Sequence, residues 1–263
     1  MSVTGRRMGA VAAAVAVVGG GAALLVHATP ARSKTATGGL AMSPVVIEQT
    51  AKAGAATTVT VANRSGHTLA VTVAARPWKQ SVTGAAEPNR RETLSDVDVS
   101  ASAFTLKART QRTFTVTLRS VPSAGYEYGA LEVIGLPPGA DTQKGIVTGY
   151  RLIGNLRMDP AQAVLKLATG KVTTASLNGT RMLALPVTNR GNTVKPVSGN
   201  VDFKGPLGTR NSDIKSVRIL PGKTVDVGLR SASGLAAGAY KATVELDQGG
   251  QTTTVHRNVR IKR

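Results

Sequence analysis

Cysteine does not occur anywhere in the chain. That excludes disulfides, a lipidated cysteine and any thiolate metal site. Aromatic residues make up 3% of the 263 residues, so a core must be filled by Val, Leu, Ile and Ala. Long Leu/Glu/Lys/Ala stretches of helical period are missing, while Val and Thr are plentiful and Gly and Pro recur throughout, a composition that favours strands. Histidine occurs three times, as His27, His67 and His256, never at metal-ligand spacing. There is no G-x-S-x-G elbow and no phosphate-cradling G-x-x-x-x-G-K-[ST] loop. Asp96 and Asp98 lie two apart on one face beside a loop, which suits a weak cation site or, more simply, a solvated edge. Nothing assembles into a catalytic constellation, so the expectation is a non-enzyme with no cofactor and no metal.

Acidic residues are scarce as well: 14 against 33 Lys and Arg, a formal charge of +19. The N-terminus explains little of this. Arg6 and Arg7 precede a small-residue apolar stretch from Met8 to Val26, and Val26-His27-Ala28 offers a cleavage site. The pattern predicts a signal peptide over residues 1–28, the alternative being an uncleaved anchor. Removing it takes two arginines and leaves +17. The expected mature protein is secreted, does not span a membrane and stays with the cell envelope. Its charge points to a cell-wall polyanion or a surface protein partner. Nucleic acid is not expected, because no basic run of five occurs and stacking aromatics are few.

Residues 29–40 ("TPARSKTATGGL") read as a disordered tether. From there the chain states one plan twice. "VTVANRSGHTLAVTV" (Val59 to Val73) has its counterpart in "LALPVTNRGNTVKPVSGNV" (Leu183 to Val201), and "FTVTLRSVPSAGYEYGALEV" in "VDVGLRSASGLAAGAYKATVEL". Each half has about seven alternating runs with turn signals between them, and Asp159-Pro160 interrupts the pattern. The fold class is therefore all-β, two tandem immunoglobulin-like β-sandwiches after a signal peptide, with sandwich 1 over 41–160 and sandwich 2 over 161–263. Asn63-Arg64 and Asn189-Arg190 are expected to be turn residues, the asparagines tolerating a left-handed φ. Tyr126 or Tyr128 and Tyr240 are expected to tie a hydroxyl to backbone at a strand start.

The candidate binding element is "IVTGYRLIGNLRM", residues 146–158. Tyr150, Leu152, Gly154, Leu156 and Met158 alternate onto one face, with Arg151, Ile153, Asn155 and Arg157 on the other. Such a strand either closes its own sandwich or completes another chain's sheet by strand addition. Partner contact is assigned to Tyr150, Arg151, Leu152, Leu156, Arg157 and Met158.

Two families share these patterns. "TTVTVANRSG", "ARPW", "FTLKARTQRTFTVTL", "YEYGALEVIGLPP" and "YRLIGNLRMDP", covering most of 43–160, resemble the first domain of periplasmic pilus-assembly chaperones. That resemblance implies two sandwiches at an angle and a strand lent to a client. It also implies a cleft where basic residues hold the client's C-terminal carboxylate, at positions taken here by Ile47 and Asn155. "YGALEVIG", "GYRLIGNLRM", "VTNRGNTVKPV", "RILPGKTVDV" and "LAAGAYKATVEL" are similar to the ectodomain of WxL-interacting surface proteins, which implies a peptidoglycan-binding and a partner-binding sandwich. The leading expectation is a non-catalytic envelope protein recognising cell-wall polymer or a surface protein. The alternative is a pilus-type assembly chaperone using strand donation.

Overall fold

A computed structural model describes residues 39–177 and 179–261; the expected signal peptide and all but the last two residues of the tether lie outside them. The chain is all-β, and apart from one short 3₁₀ turn at Ala232–Gly234 the described elements are strands. It forms two tandem immunoglobulin-like sandwiches, each closed by its own buried cluster.

The first sandwich contains β1 (Leu40–Ser43), β2 (Val46–Thr50), β3 (Ala56–Asn63), β4 (Leu69–Gln80), β5 (Ala86–Pro88), β6 (Val97–Val99), β7 (Ala103–Leu106), β8 (Gln111–Leu118), β9 (Glu127–Leu136) and β10 (Tyr150–Asp159). One sheet runs β1-β3-β8-β6 and the other β2-β10-β9-β4-β5, with β7 also on β4. Period-two alternation makes these strands. In β3 the inward residues Val59 and Val61 are fully buried while Thr58 and Thr60 face outward. Against them lie Val71, Phe114, Leu131, Val133, Leu156 and Met158. Burying each such side chain stabilises by about 1.5–3 kcal/mol, enough that no cross-link is needed.

The second sandwich contains β11 (Leu167–Thr169), β12 (Thr173–Leu177), β13 (Thr180–Asn189), β14 (Val197–Gly205), β15 (Gly208–Val217), β16 (Thr224–Ser231), β17 (Gly238–Gln248) and β18 (Gln251–Ile261). Here β13 pairs β11, β12 and β16, and the facing sheet runs β15-β14-β17-β18. The two copies share pairings: β3 with β8 matches β13 with β16, β4 with β9 matches β14 with β17, and β9 with β10 matches β17 with β18.

The repeated asparagines are buried, each the last residue of its strand. Asn63 Nδ2 donates to the carbonyls of His67 (2.7 Å) and Leu106 (3.1 Å), and its Oδ1 accepts the Ser65 amide at 2.9 Å. Asn189 repeats this with Thr193 (2.7 Å), Ile219 (2.7 Å) and the Gly191 amide (2.9 Å). Neither has the expected left-handed φ; among the described non-glycine residues only Arg109 has φ above zero. The asparagine is chosen for its buried bonds, which span a turn and reach a second loop.

β5 folds back on the end of β4 from Trp78 to Gln80. The tip of this hairpin reaches the second sandwich. Gly84, at φ 86°, leaves Val217 and Val225 only 3.3 and 3.2 Å from where a Cβ would stand. The Asp226 amide donates to the Val82 carbonyl at 2.7 Å. Gln80 Nε2 donates to the Arg218 carbonyl at 2.8 Å while its Oε1 accepts the Leu220 amide at 2.9 Å.

Candidate functional site

β10 is covered unequally along its length. Its inner edge pairs with β9 from Tyr150 to Met158. On the outer edge β2 runs parallel to it over Asn155–Asp159, and the Asn155 amide reaches the Val45 carbonyl at 2.8 Å. Among the described residues no strand pairs with the outer edge of Tyr150–Gly154. An unpaired edge is a template for another strand. The equivalent edge strand of the second sandwich, β18, is also open, but it presents Thr252, Thr254, His256 and Asn258, and Arg257 ties it to the Gly170 carbonyl and Thr169. Around β10 the surface is apolar instead. Nine large apolar side chains are exposed among the described residues, and five of them (Val45, Val46, Leu136, Ile146 and Ile153) belong to β10 or to segments leading into it and beside it. Such clustering marks interaction surfaces.

The six assigned side chains divide by depth. Leu156 and Met158 have no exposed surface and belong to the first core, so they offer a partner nothing to touch. Tyr150 and Leu152 are half-buried and pack on the same core from its rim. Tyr150 lies over Gly39, where any Cβ would strike its ring. Gly154 leaves room for Met42 Cε and the Val45 carbonyl, which stand 2.8 and 3.1 Å from where a Cβ would be. Arg151 is exposed on the outer face and Arg157 sits in the cleft between the sandwiches.

The cleft holds about 310 Å³ and is lined by Trp78, Tyr128, Asn155, Arg157, Arg218 and Leu220. Ile47 is buried opposite Leu156 and does not reach it. Its charge comes from elsewhere. Arg157 Nη1 meets Glu48 Oε2 at 2.7 Å. Arg218 Nη1 donates to the Val194 carbonyl at 2.7 Å. Burial lowers the Arg218 pKa from its ordinary value, and the neighbouring Arg157 lowers it further against the opposing pull of Glu48 and Asp159. Two guanidiniums thus share one narrow space. Tyr128 closes the floor: its hydroxyl donates to Asp159 Oδ1 (2.8 Å) and lies 3.1 Å from the Asn192 carbonyl. Burial first, then the bond to Asp159, raises its pKa, so the phenol stays neutral. Tyr240, its counterpart, instead donates to the Ala236 carbonyl at 3.0 Å, within its own sandwich.

One residue of this face has no role that sequence spacing assigns. Glu132, on β9, is 2% exposed and accepts from three arginines: Arg76 Nε at 2.6 Å, Arg151 Nε at 2.7 Å and Arg90 Nε at 2.9 Å. Burial raises its pKa, and the bonds from Arg90, Arg151 and Arg76 outweigh that, holding it below the ordinary carboxylate value. The three arginines come from β10, β4 and the loop after β5, so only the fold assembles them. Asp96 accepts from the Ser120 hydroxyl, and among the described residues no group of three or more Asp, Glu, His or Cys could hold a metal ion.

No family model and no curated protein matches the chain. Solved structures do. A chain from the chaperone–tip adhesin complex of CFA/I fimbriae biogenesis superposes with a TM-score of 0.53 at 13% identity, covering 83% of this chain and 98% of that one. The class 5 fimbriae chaperone CfaA gives 0.51 at 14% identity over 83% and 98%. At these identities the likeness establishes the fold, two tandem immunoglobulin-like domains. It does not extend to the WxL-interacting proteins, whose resemblance remains a matter of sequence pattern alone. No helix among the described residues is long and apolar enough to cross a membrane.

Proposed function

We propose that the chain is a non-catalytic, extracytoplasmic protein of the assembly-chaperone type, which holds an extended segment of an exported protein against the outer edge of β10. The observation that carries this reading is the half-covered strand: Tyr150–Gly154 lacks a neighbour among the described residues, and exposed Val45, Val46, Leu136, Ile146 and Ile153 surround it. Strand addition there satisfies the free backbone groups and covers the apolar rim in one step. Similarity of fold to chaperones of fimbriae biogenesis supports a protein client over the wall polymer first expected. The N-terminal apolar stretch supports export.

A client carboxylate entering the cleft would meet Arg157 and Arg218, not the residues at 47 and 155. The test is co-expression with the secreted proteins encoded beside it, followed by amide exchange on any captured complex. The outward amides of residues 150–154 should exchange quickly in the free chain and slow on capture, and Leu152→Asp should abolish capture with the first sandwich still folded. Leu156→Asp is unsuitable, since that side chain is core. Capture that leaves residues 150–154 unprotected would count against the edge as the binding element.

A further inference from the structure

Glu132 needs one guanidinium to be stable, yet it holds three. What the extra two gain is position. Arg90 and Arg151 each spend only Nε on the carboxylate, so among the described residues the Nη groups of both have no partner. Arg76 also donates its Nη1 to the Arg90 and Glu92 carbonyls. The result is a pair of guanidinium forks, 56% and 41% exposed, fixed at their bases by a buried anion and open at their tips. An unconstrained arginine loses rotamer freedom when it binds; these have lost much of it already, which favours tight recognition of an oxyanion.

Their place on the sheet says which oxyanion. Arg151 lies within the uncovered half of β10, and its side chain points to the outer face, away from Tyr150 and Leu152. A strand added at that edge lies ~4.8 Å away and puts a side chain on the outer face opposite Arg151, and again opposite Ile153 two residues along. The inner-face positions meet Tyr150 and Leu152. We infer that Arg151, anchored by Glu132, selects clients whose captured strand carries a carboxylate on the outer face and apolar residues on the inner face. This rests on strand capture at β10 and adds the sequence chemistry of the client. Glu132, Arg76 and Arg90 act as positioning residues for Arg151.

The experiment uses the purified full chain and three synthetic peptides that alternate Val with Glu, Gln or Lys. The Val–Glu peptide should bind about tenfold tighter than Val–Gln and the Val–Lys peptide weaker than either. Raising the ionic strength should compress the difference. Arg151→Gln should bring the ratio of Val–Glu to Val–Gln binding to about one, while Arg151→Lys should restore part of the preference. Equal binding of all three peptides would overturn the carboxylate selection and leave strand capture standing. Binding of none would remove strand capture and this inference with it. Inorganic polyphosphate binding that depends on Arg90 and Arg151, with no preference for Val–Glu, would make the surface a site for polyanions and overturn the proposal.

Discussion

The side-chain amide of Gln80 pairs with the backbone of Leu220 in the opposite sandwich as a strand would: Oε1 accepts the Leu220 amide at 2.9 Å, and Nε2 donates to the carbonyl two residues earlier at 2.8 Å. Two hydrogen bonds of complementary sense fix orientation as well as distance. With the Val82–Asp226 backbone bond and the Gly84 tip packed on Val217 and Val225, the β4–β5 hairpin acts as the clamp between the domains.

Gln80→Ala should therefore loosen the junction and leave both cores intact. The expected cost is about 1–2 kcal/mol, from two lost bonds that water partly replaces. Small-angle scattering should show a broader range of interdomain separations with unchanged circular dichroism. Gln80→Glu keeps the acceptor but turns a carboxylate oxygen toward the Arg218 carbonyl, so it should cost at least as much as Gln80→Ala. An unaltered scattering profile for Gln80→Ala would place the clamp elsewhere in the hairpin.

Asn63 and Asn189 predict a matched pair of effects. Each is buried and each donates to at least one buried carbonyl, that of Leu106 for Asn63 and that of Ile219 for Asn189. Replacing either by Ala should destabilise its own sandwich by about 3 kcal/mol. In urea unfolding, Asn63→Ala should lower the transition of the first sandwich and Asn189→Ala that of the second. Effects below about 0.5 kcal/mol, the usual range for exposed turn residues, would mean the side chains only shape the turn. The buried amide also makes Asn63 a poor glycosylation acceptor despite its Asn-Arg-Ser context.

Glu132 sets an acid limit on the first sandwich. Its folded pKa lies below the ordinary 4.5. The unfolded chain therefore takes up its proton first as pH falls, so the contribution is complete above that value and is lost as pH drops through the folded pKa. Glu132→Gln should cost about 1–2 kcal/mol at neutral pH, because a charged acceptor becomes a neutral one while the partly exposed guanidiniums gain water. It should also flatten the decline in stability below the ordinary carboxylate range. A mutant that keeps the wild-type acid slope would assign that slope to other carboxylates.

The copies diverge most informatively at their tyrosines. Both stand near a strand start after a small-residue loop, and the expected hydroxyl-to-backbone bond is found for each. Tyr240 makes it four residues back, a local arrangement readable from "AAGAY". Tyr128 makes it to Asn192, sixty-four residues on and in the other domain. No local pattern encodes that reach. Similarly, alternation identified the two faces of β10, but it assigned Leu156 and Met158 to a partner because alternation says which side a residue faces and not what lies there. β2 covers their half of the strand and the facing sheet buries them.

What the sequence determined by itself was the repeated sandwich. Period-two hydrophobicity, turn residues and a duplicated Asn-bearing hairpin are local, and local rules suffice to place strands and choose the buried face. It also determined the absence of cross-links and the large positive charge. Only the tertiary structure decided which half of β10 stays open, how Gln80 joins the domains, and that Glu132 gathers Arg76, Arg90 and Arg151. Each of these brings together residues far apart in the chain, and their energies depend on burial and angle, quantities that do not exist until the sheets have packed.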